Sequence, residues 1–463
     1  MTTKPKIGLL PFYIELYDRA FPLARPRIEG FYATIAGELE NRGLDVVTVP
    51  ICRVKSEFAA AVKAFEEAQA ECIITLHLAY SPSLESAEVL AGTKLPIIVL
   101  DTSPAYSYGP QQDPDELIFN HGIHGVQDMC NLIIRNGKRF QIEAGHWQKS
   151  DVLDRVVGWA QAARLASAMR NARVGRIGMP FAGMGDFAVP DDVLRSTIGI
   201  EVVQADPAVI RSLLPAEDDP EVEAEMAQDR RQFDAEGLDP ETHRRTVRAG
   251  LAVRRWIEQE KLTAFTMNFL DIDQDSGLPT VPFLEASKAM ARGIGYAGEG
   301  DVLTAAFVGA LMSVYPDTSF TEMFCPDWEG DSIFLSHMGE WNLNLAAEKP
   351  KLIEKPFPWT DAENPVVAVG RFRGGDATLV DVAPTADGAY IIITVRGSML
   401  EFEGEDRMSG SVHGWFALGR NVGGWLTAYS ISGGTHHLAL VYGGRSNEMF
   451  RFQTVLGWQE HKF

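Results

Sequence analysis

Four short apolar runs decide how the first part of the chain is read: IGLLPF (Ile7–Phe12), VVTVPI (Val46–Ile51), CIITL (Cys72–Leu76) and PIIVLD (Pro96–Asp101). Between them, Arg27 to Arg42 and Glu57 to Glu71 carry apolar residues at every third or fourth position, as crossover helices over a parallel sheet do. This is βαβ repetition. Working outward, a second α/β stretch opens at VGRIGMP (Val174), continues with IEVVQAD (Ile200) and returns to a sheet at AFTMNF (Ala264). The charge-rich segment from Pro215 to Gln259 reads as a pair of solvated helices with no chemistry of its own. After about residue 360 the texture changes. The runs VVAVGRF, ATLVDVA, AYIIITVRG, SMLEFEG, GWFALG, GWLTAYSI and HLALVYG are short, β-rich and separated by Gly, Asp and Asn, which predicts an antiparallel sheet or barrel. The expected fold class is therefore α/β: two doubly wound parallel-sheet domains, residues 1–175 and 176–317, followed by an antiparallel β-barrel-like domain, residues 318–463.

Composition narrows the function. The chain has 463 residues, 46% hydrophobic and 23% charged, which is ordinary globular composition. Its formal charge of -21 repels phosphate backbones and anionic lipid, so no nucleic-acid or membrane partner is expected. The cysteines Cys52, Cys72, Cys130 and Cys325 form no C-x-x-C pair and are too few to staple the chain, which suggests a reducing cytosol. The first residues lack a sustained apolar segment with a cleavage site, and no run approaches the roughly 20 apolar residues of a membrane span. A cytoplasmic location is the expectation.

Two motifs compete as functional sites. Gly183-Met184-Gly185-Asp186-Phe187-Ala188 is a G-x-G-x-x-A loop after an expected strand, with Glu201 and Asp206 where a ribose-binding acid would fall. A dinucleotide site needs the helix to begin inside the glycine run, so that its N–H groups face the pyrophosphate. Here Pro190-Asp191-Asp192 marks the helix start, several residues late. The sharper cluster begins at GEGD, which places Glu299 in a Gly-flanked turn before an apolar helix from Val302 to Tyr315. SFTEMF supplies Glu322, LSHMGEW supplies His337, and GGTHHLAL supplies His436 and His437 on an expected strand. Carboxylate oxygen with neutral imidazole suits Mn(II), Co(II), Fe(II) or Zn(II), and the lack of cysteine argues against a soft site. Neighbouring strand residues point to opposite faces, so His436 and His437 are not both expected to ligate one ion unless the strand bulges. The bland alternative keeps Glu299 as a helix cap, Glu322 solvated and the histidines satisfied within the sheet.

The runs GYAGEGD, TSFTEMF, LSHMGEW, LAAEKPKL and GGTHHL resemble the corresponding runs of the L-arabinose isomerase family, in order and spacing. LHLAYSPS, HGIHGVQD, GHWQKSD, MGDFAV, AFTMNFLDI and LPTVPFLEASKAMARGIGYAG resemble family segments too. The likeness is firm from Ala264 to Glu340 and at His436-His437, and diffuse in the first seventy residues and the β-rich tail. It implies two flavodoxin- or Rossmann-like domains followed by a barrel-like one, as read above. It also implies a divalent ion, Mn(II) first, with Co, Fe, Mg or Zn as alternatives, held by Glu299, Glu322, His337 and His437. The same resemblance implies a homo-oligomer in which a neighbouring subunit contributes His124 to the pocket. Tyr80, Met184 and Phe269 match family pocket positions, and His436 is left for the substrate. Trp147 reads as packing.

The function so implied is aldose–ketose isomerisation through an enediol, with an ion chelated by the two sugar oxygens and with Glu299 and Glu322 as general base and acid. There are departures. A family tyrosine is Phe324 here, a glutamine before the HG segment is His121, and a glutamine-containing turn near the N-terminus is Pro11-Phe12-Tyr13. Exchanging hydrogen-bonding groups changes which sugar hydroxyls are satisfied, so L-arabinose as substrate does not follow; the related L-fucose isomerases share the architecture. Two other readings stand beside this one: a non-catalytic sugar-binding or regulatory protein on the same fold, and an NAD-dependent oxidoreductase built on the Gly183 loop.

Overall fold

The computed structural model describes residues 4–458. Two compact units are present, one running to Ser167 and a second that begins at Ala168, the change falling within the helix Val152–Arg170.

In the first unit, β1 (Lys6–Phe12), β2 (Asp45–Thr48), β3 (Cys72–His77), β4 (Ile97–Asp101) and β5 (Phe140–Ala144) form one parallel sheet in the order β2-β1-β3-β4-β5. The four runs that opened the sequence reading all contain strands of this sheet. Crossover helices Arg25–Asn41 and Lys55–Glu67 fall where the three-to-four spacing put them. The second packs tightly: a Cβ at Gly8 of β1 would stand 2.4 Å from the Phe65 ring, so only glycine admits that helix at this distance.

The second unit holds two sheets. β6 (Arg173–Ile177), β7 (Glu201–Gln204), β8 (Ala264–Met267) and β9 (Gly295–Gly298) form a parallel sheet in the order β7-β6-β8-β9. The helix Val302–Met312 lies so close to β9 that a Cβ at Gly295 would meet the carbonyl of Ala305 at 2.4 Å. The remaining strands are β10 (Thr318–Asp327), β11 (Ser332–His337), β12 (Lys351–Glu354), β13 (Val366–Arg371), β14 (Gly375–Pro384), β15 (Tyr390–Met399), β16 (Val412–Ala417) and β17 (His437–Tyr442). They build one eight-stranded sheet, ordered β11-β10-β17-β14-β15-β16-β13-β12, and β11 also pairs with β16.

Three expectations need correction. The large sheet is mixed, not purely antiparallel, because β13 runs parallel to β16. GWLTAYSI is helical, within Val422–Ile431: the Asn421 side chain accepts the N–H of Gly424 as an N-cap, and Val422, Trp425 and Tyr429 bury one helical face. Local β-propensity is overridden there by capping and packing. The charge-rich segment does form two helices, Pro220–Gln232 and Pro240–Gln259, but the second is not simply solvated. It buries Val247, Leu251, Val253, Trp256 and Ile257, and its Arg254 guanidinium donates to both Glu225 and the buried Glu285. Among the described residues no helix is long and apolar enough to cross a membrane.

Candidate metal centre

The site forms where β9 ends. Gly298 closes the strand and Glu299 follows with φ +54°, a left-handed conformation that a non-glycine residue adopts only under constraint; Gly300 continues the turn at φ +82°. The Phe181 N–H fixes the turn by donating to the Glu299 carbonyl at 2.9 Å. Glu322 lies on β10, directly across from His437 on β17 and from Ser336 on β11. His337 follows Ser336 and ends β11. Three neighbouring strands, β11, β10 and β17, and one turn therefore bring the four side chains together.

His437 Nε2 lies 2.8 Å from Glu299 Oε2 and 3.1 Å from Glu322 Oε1. His337 Nε2 lies 3.2 Å from Glu322 Oε1 and 3.8 Å from Glu299 Oε1. Glu299, His337 and His437 are buried, and the Glu322 side chain keeps 14% of its surface. The ligand atoms of Glu299, Glu322, His436 and His437 also fall within 4.8 Å of one another, which makes His436 a rival to His337. We favour His337. Its Nε2 points at the carboxylates and its Nδ1 is held from behind, whereas His436 has its Nδ1 2.7 Å from Asp186 Oδ2 and keeps 40% of its side-chain surface exposed.

The alternation argument against His436 and His437 sharing a face does not apply, because β17 begins only at His437. The two rings stand 4.3 Å apart.

Carboxylates hold the far side of both buried imidazoles. His437 Nδ1 lies 2.8 Å from Asp301 Oδ2, and His337 Nδ1 lies 2.7 Å from Glu340 Oε2, whose other oxygen accepts the Tyr296 hydroxyl at 2.8 Å. Such backing fixes ring orientation and makes Nε2 a better donor to a cation. Phe187 stacks on His437 at 4.9 Å, and the Phe320 ring meets His337 and His437 edge-on at 4.8 and 5.0 Å. Asp301, Glu340, Asp186, Phe187 and Phe320 were missed by the sequence reading. Three had a signal: Asp301 lies two residues after Glu299, Glu340 three after His337, and Phe320 is two before Glu322 on one strand face.

Burial opposes ionisation of both glutamates, but hydrogen bonds and charge from His337 and His437 outweigh it, holding Glu299 well below the usual carboxylate range and Glu322 down to about 2. Burial likewise pushes both imidazoles down. The carboxylates facing them, Glu340, Glu322 and Glu299 for His337 and Asp301, Glu299 and Glu322 for His437, raise them well above the ordinary value. Two ionised carboxylates thus face two imidazoles that carry protons where a divalent cation would put its charge. Hard oxygen and borderline nitrogen donors, each backed by a carboxylate on the histidine side, fit such an ion.

The other expected residues fall as follows. Met184 and Phe269 are half-buried in the same unit, Phe269 packing on Phe181 at 5.8 Å, and Phe181 in turn is tied to Glu299. Tyr80 and His124 lie in the first unit, their rings 5.6 Å apart, with the Tyr80 hydroxyl 3.4 Å from Asp128. His121 meets the Tyr17 hydroxyl at 2.9 Å, and Trp147 packs on Phe31 at 6.2 Å. The Gly183 loop does not open a helix: the next one starts at Asp191, so no ring of helical N–H groups faces those glycines. Its Asp186 serves His436 instead.

The class is an α/β scaffold joined to a large β-sheet, with a carboxylate–imidazole cluster at a strand end. Comparison narrows it. The L-arabinose isomerase central domain matches residues 214–316 and the L-arabinose isomerase C-terminal domain matches residues 317–459, together more than half of the chain. The chain belongs to the L-arabinose isomerase family. It is 29% identical over 311 residues to L-arabinose isomerase 2 of Bacillus licheniformis, covering 64% of each chain. It is 26% identical over 365 residues to L-arabinose isomerase of Herpetosiphon aurantiacus, covering 75% of this chain and 71% of that one. With L-arabinose isomerase of Oceanobacillus iheyensis it shares 29% over 284 residues, 59% of that protein's length. The alignment thus spans less than two thirds of the first and third of these relatives.

Proposed function

We propose that the protein is a divalent-metal aldose–ketose isomerase acting on a free sugar. The observation that carries this is the convergence of Glu299, Glu322, His337 and His437, with Asp301 and Glu340 behind the imidazoles. These four would hold the ion, Mn(II) first among Mn, Co, Fe, Mg and Zn. When bound, it supplies Lewis-acid polarisation of the sugar carbonyl and a template for the two neighbouring oxygens.

The protein's own groups handle the protons. One glutamate carboxylate accepts the proton from C2 and returns it to C1, while the other passes a proton between O2 and O1, so the aldose and ketose differ by no atom. Both carboxylates are ionised at neutral pH, the state a base needs. Phe187 and Phe320 limit water around the imidazoles. Met184 and Phe269 form the apolar wall beside the Glu299 turn, and His436, fixed by Asp186, offers its remaining ring nitrogen to a hydroxyl. Tyr80 and His124 act from a neighbouring subunit of a homo-oligomer. The three-domain division, with the large sheet closing as a barrel through its β11–β16 pairing, and a cytoplasmic location belong to the same reading. The sugar is left open, because Phe324, His121 and Pro11-Phe12-Tyr13 depart from the family pattern.

The test is a panel of aldoses and ketoses incubated with Mn(II)-loaded protein and followed by NMR. Appearance of the isomeric sugar on one or more substrates is expected. Tight Mn(II) binding with no turnover on any pentose, hexose or tetrose would favour the sugar-binding alternative and end the enzymatic reading.

A further inference from the structure

Three consecutive residues, Thr435, His436 and His437, are each held by a different aspartate from a different element. The Thr435 backbone N–H donates to Asp381 Oδ2 at 3.0 Å, and its hydroxyl lies 2.8 Å from Asp381 Oδ1 and 3.0 Å from the carbonyl oxygen of His437. The backbone N and ring Nδ1 of His436 both reach Asp186 Oδ2, at 2.9 and 2.7 Å. His437 Nδ1 is held by Asp301.

Asp186 and Asp301 grip the imidazoles themselves. Asp381 touches neither ring, yet it is 1% exposed in β14. It sits where the β14–β17 ladder stops, one residue past its last pair, Val380 with Ala439, so the carboxyl takes over the chain where backbone pairing ends. Among the described residues no Lys or Arg is ion-paired with it, and a buried carboxyl without a cation is costly unless neutral and fully hydrogen-bonded. Burial pushes its pKa up to about 7. A proton on Oδ1 would let the acid donate to Thr435 Oγ1, freeing the threonine hydroxyl to donate onward to the His437 carbonyl. The Tyr429 hydroxyl donates to the Thr435 carbonyl at 2.5 Å and lies against the Asp381 carboxyl as well, tying the same pair together.

We propose that Asp381 is a positioning residue: through Thr435 it turns the chain entering β17 so that the imidazoles of His436 and His437 are presented together at the Glu299–Glu322 cluster. The proposal rests on the metal-centre reading above for its consequence, but the positioning exists without the ion.

The test compares Asp381→Leu, Asp381→Asn, Thr435→Val and Thr435→Ser with the parent, at matched circular dichroism. Two readouts are taken: imidazole 1H–15N resonances of the metal-free protein with 15N-histidine, and Mn(II) affinity by calorimetry. In Asp381→Leu and Thr435→Val the His436 and His437 resonances move while those of His337, on β11 and held by Glu340, stay. Mn(II) affinity falls about tenfold or more, the range of lost outer-shell support. Asp381→Asn and Thr435→Ser, which keep the hydrogen-bond chain, restore both. Should Asp381→Leu fail to fold, Thr435→Val alone decides. Unmoved His436 and His437 resonances in a folded Asp381→Leu or Thr435→Val overturn the proposal, as does equal loss in Asp381→Asn and Asp381→Leu. A parent that binds no Mn(II) fails the isomerase reading instead, and the resonances still decide the positioning.

Discussion

Asp301 joins the fold to the site: its Oδ1 accepts the Thr304 N–H at the first turn of the helix Val302–Met312, and its Oδ2 lies 2.8 Å from Nδ1 of His437. One side chain thus caps a core helix and sets the orientation of an imidazole that enters from β17. Asp301→Ala removes both bonds. The cap loss costs about 1 kcal/mol, and the buried imidazole N–H left without an acceptor costs about 1–3 kcal/mol more. Asp301→Asn keeps the cap and weakens only the ring contact. Denaturant unfolding with parallel Mn(II) titration is expected to separate them: Asn holds most of the stability and loses about tenfold or more in affinity, whereas Ala loses both.

Glu299→Gln and Glu322→Gln keep the size of each side chain and remove its capacity to carry a proton between substrate atoms. Turnover is expected to fall at least about 100-fold for each variant, with circular dichroism unchanged. Near-parental rates on the sugar that the parent isomerises would remove the glutamates from the chemistry.

Glu340 orients His337 through Nδ1 while accepting the Tyr296 hydroxyl. Tyr296→Phe is therefore expected to act on the metal only indirectly. A few-fold loss of Mn(II) affinity, smaller than the loss in Glu340→Gln at roughly tenfold or more, is the expected order in a calorimetric titration. The reverse order would contradict the arrangement.

Stability should carry a pH signature from the first unit. His77 ends β3 buried, stacked on Phe12 at 4.3 Å, and among the described residues neither ring nitrogen has a hydrogen-bond partner. Burial pushes its pKa down to about 3. The unfolded chain takes up a proton below about 6.5 that the folded chain refuses, so stability is lost as pH falls from about 6.5 toward 3, at about 1.4 kcal/mol per unit from this group. Denaturant midpoints of the parent and His77→Phe across that window check it, the slope being shallower in the variant.

How far the sequence was legible follows from what each residue's signal depended on. Strands β1, β3 and β4 of the N-terminal sheet were readable because buried parallel strands are short continuous apolar runs, whereas β5, FQIEA, is half-exposed and was not read. GWLTAYSI misled because Trp, Thr, Tyr and Ile favour strands, while the evidence for a helix lay in the Asn421 cap and in the burial of Trp425 and Tyr429 four residues apart. Glu299, Glu322, His337 and His437 were readable as residues through their flanking runs. Their meeting was not, since Glu322 faces His437 only through the β10–β17 register, which no local spacing encodes. The alternation rule set His436 against His437 because it assumed that the strand began earlier than it does. Asp381 gave no signal at all, being an isolated acid in an apolar strand, ATLVDVA.

The most direct measurement is a crystal structure of the Mn(II)-soaked protein with anomalous data collected at the manganese edge. A centre built from these four side chains predicts one strong peak bound by carboxylate oxygens of Glu299 and Glu322 and by Nε2 of His337 and His437, with Nδ1 of His337 still on Glu340 and that of His437 still on Asp301. A peak that takes His436 in place of His337, or manganese bound elsewhere with these four side chains left paired to one another, would contradict it.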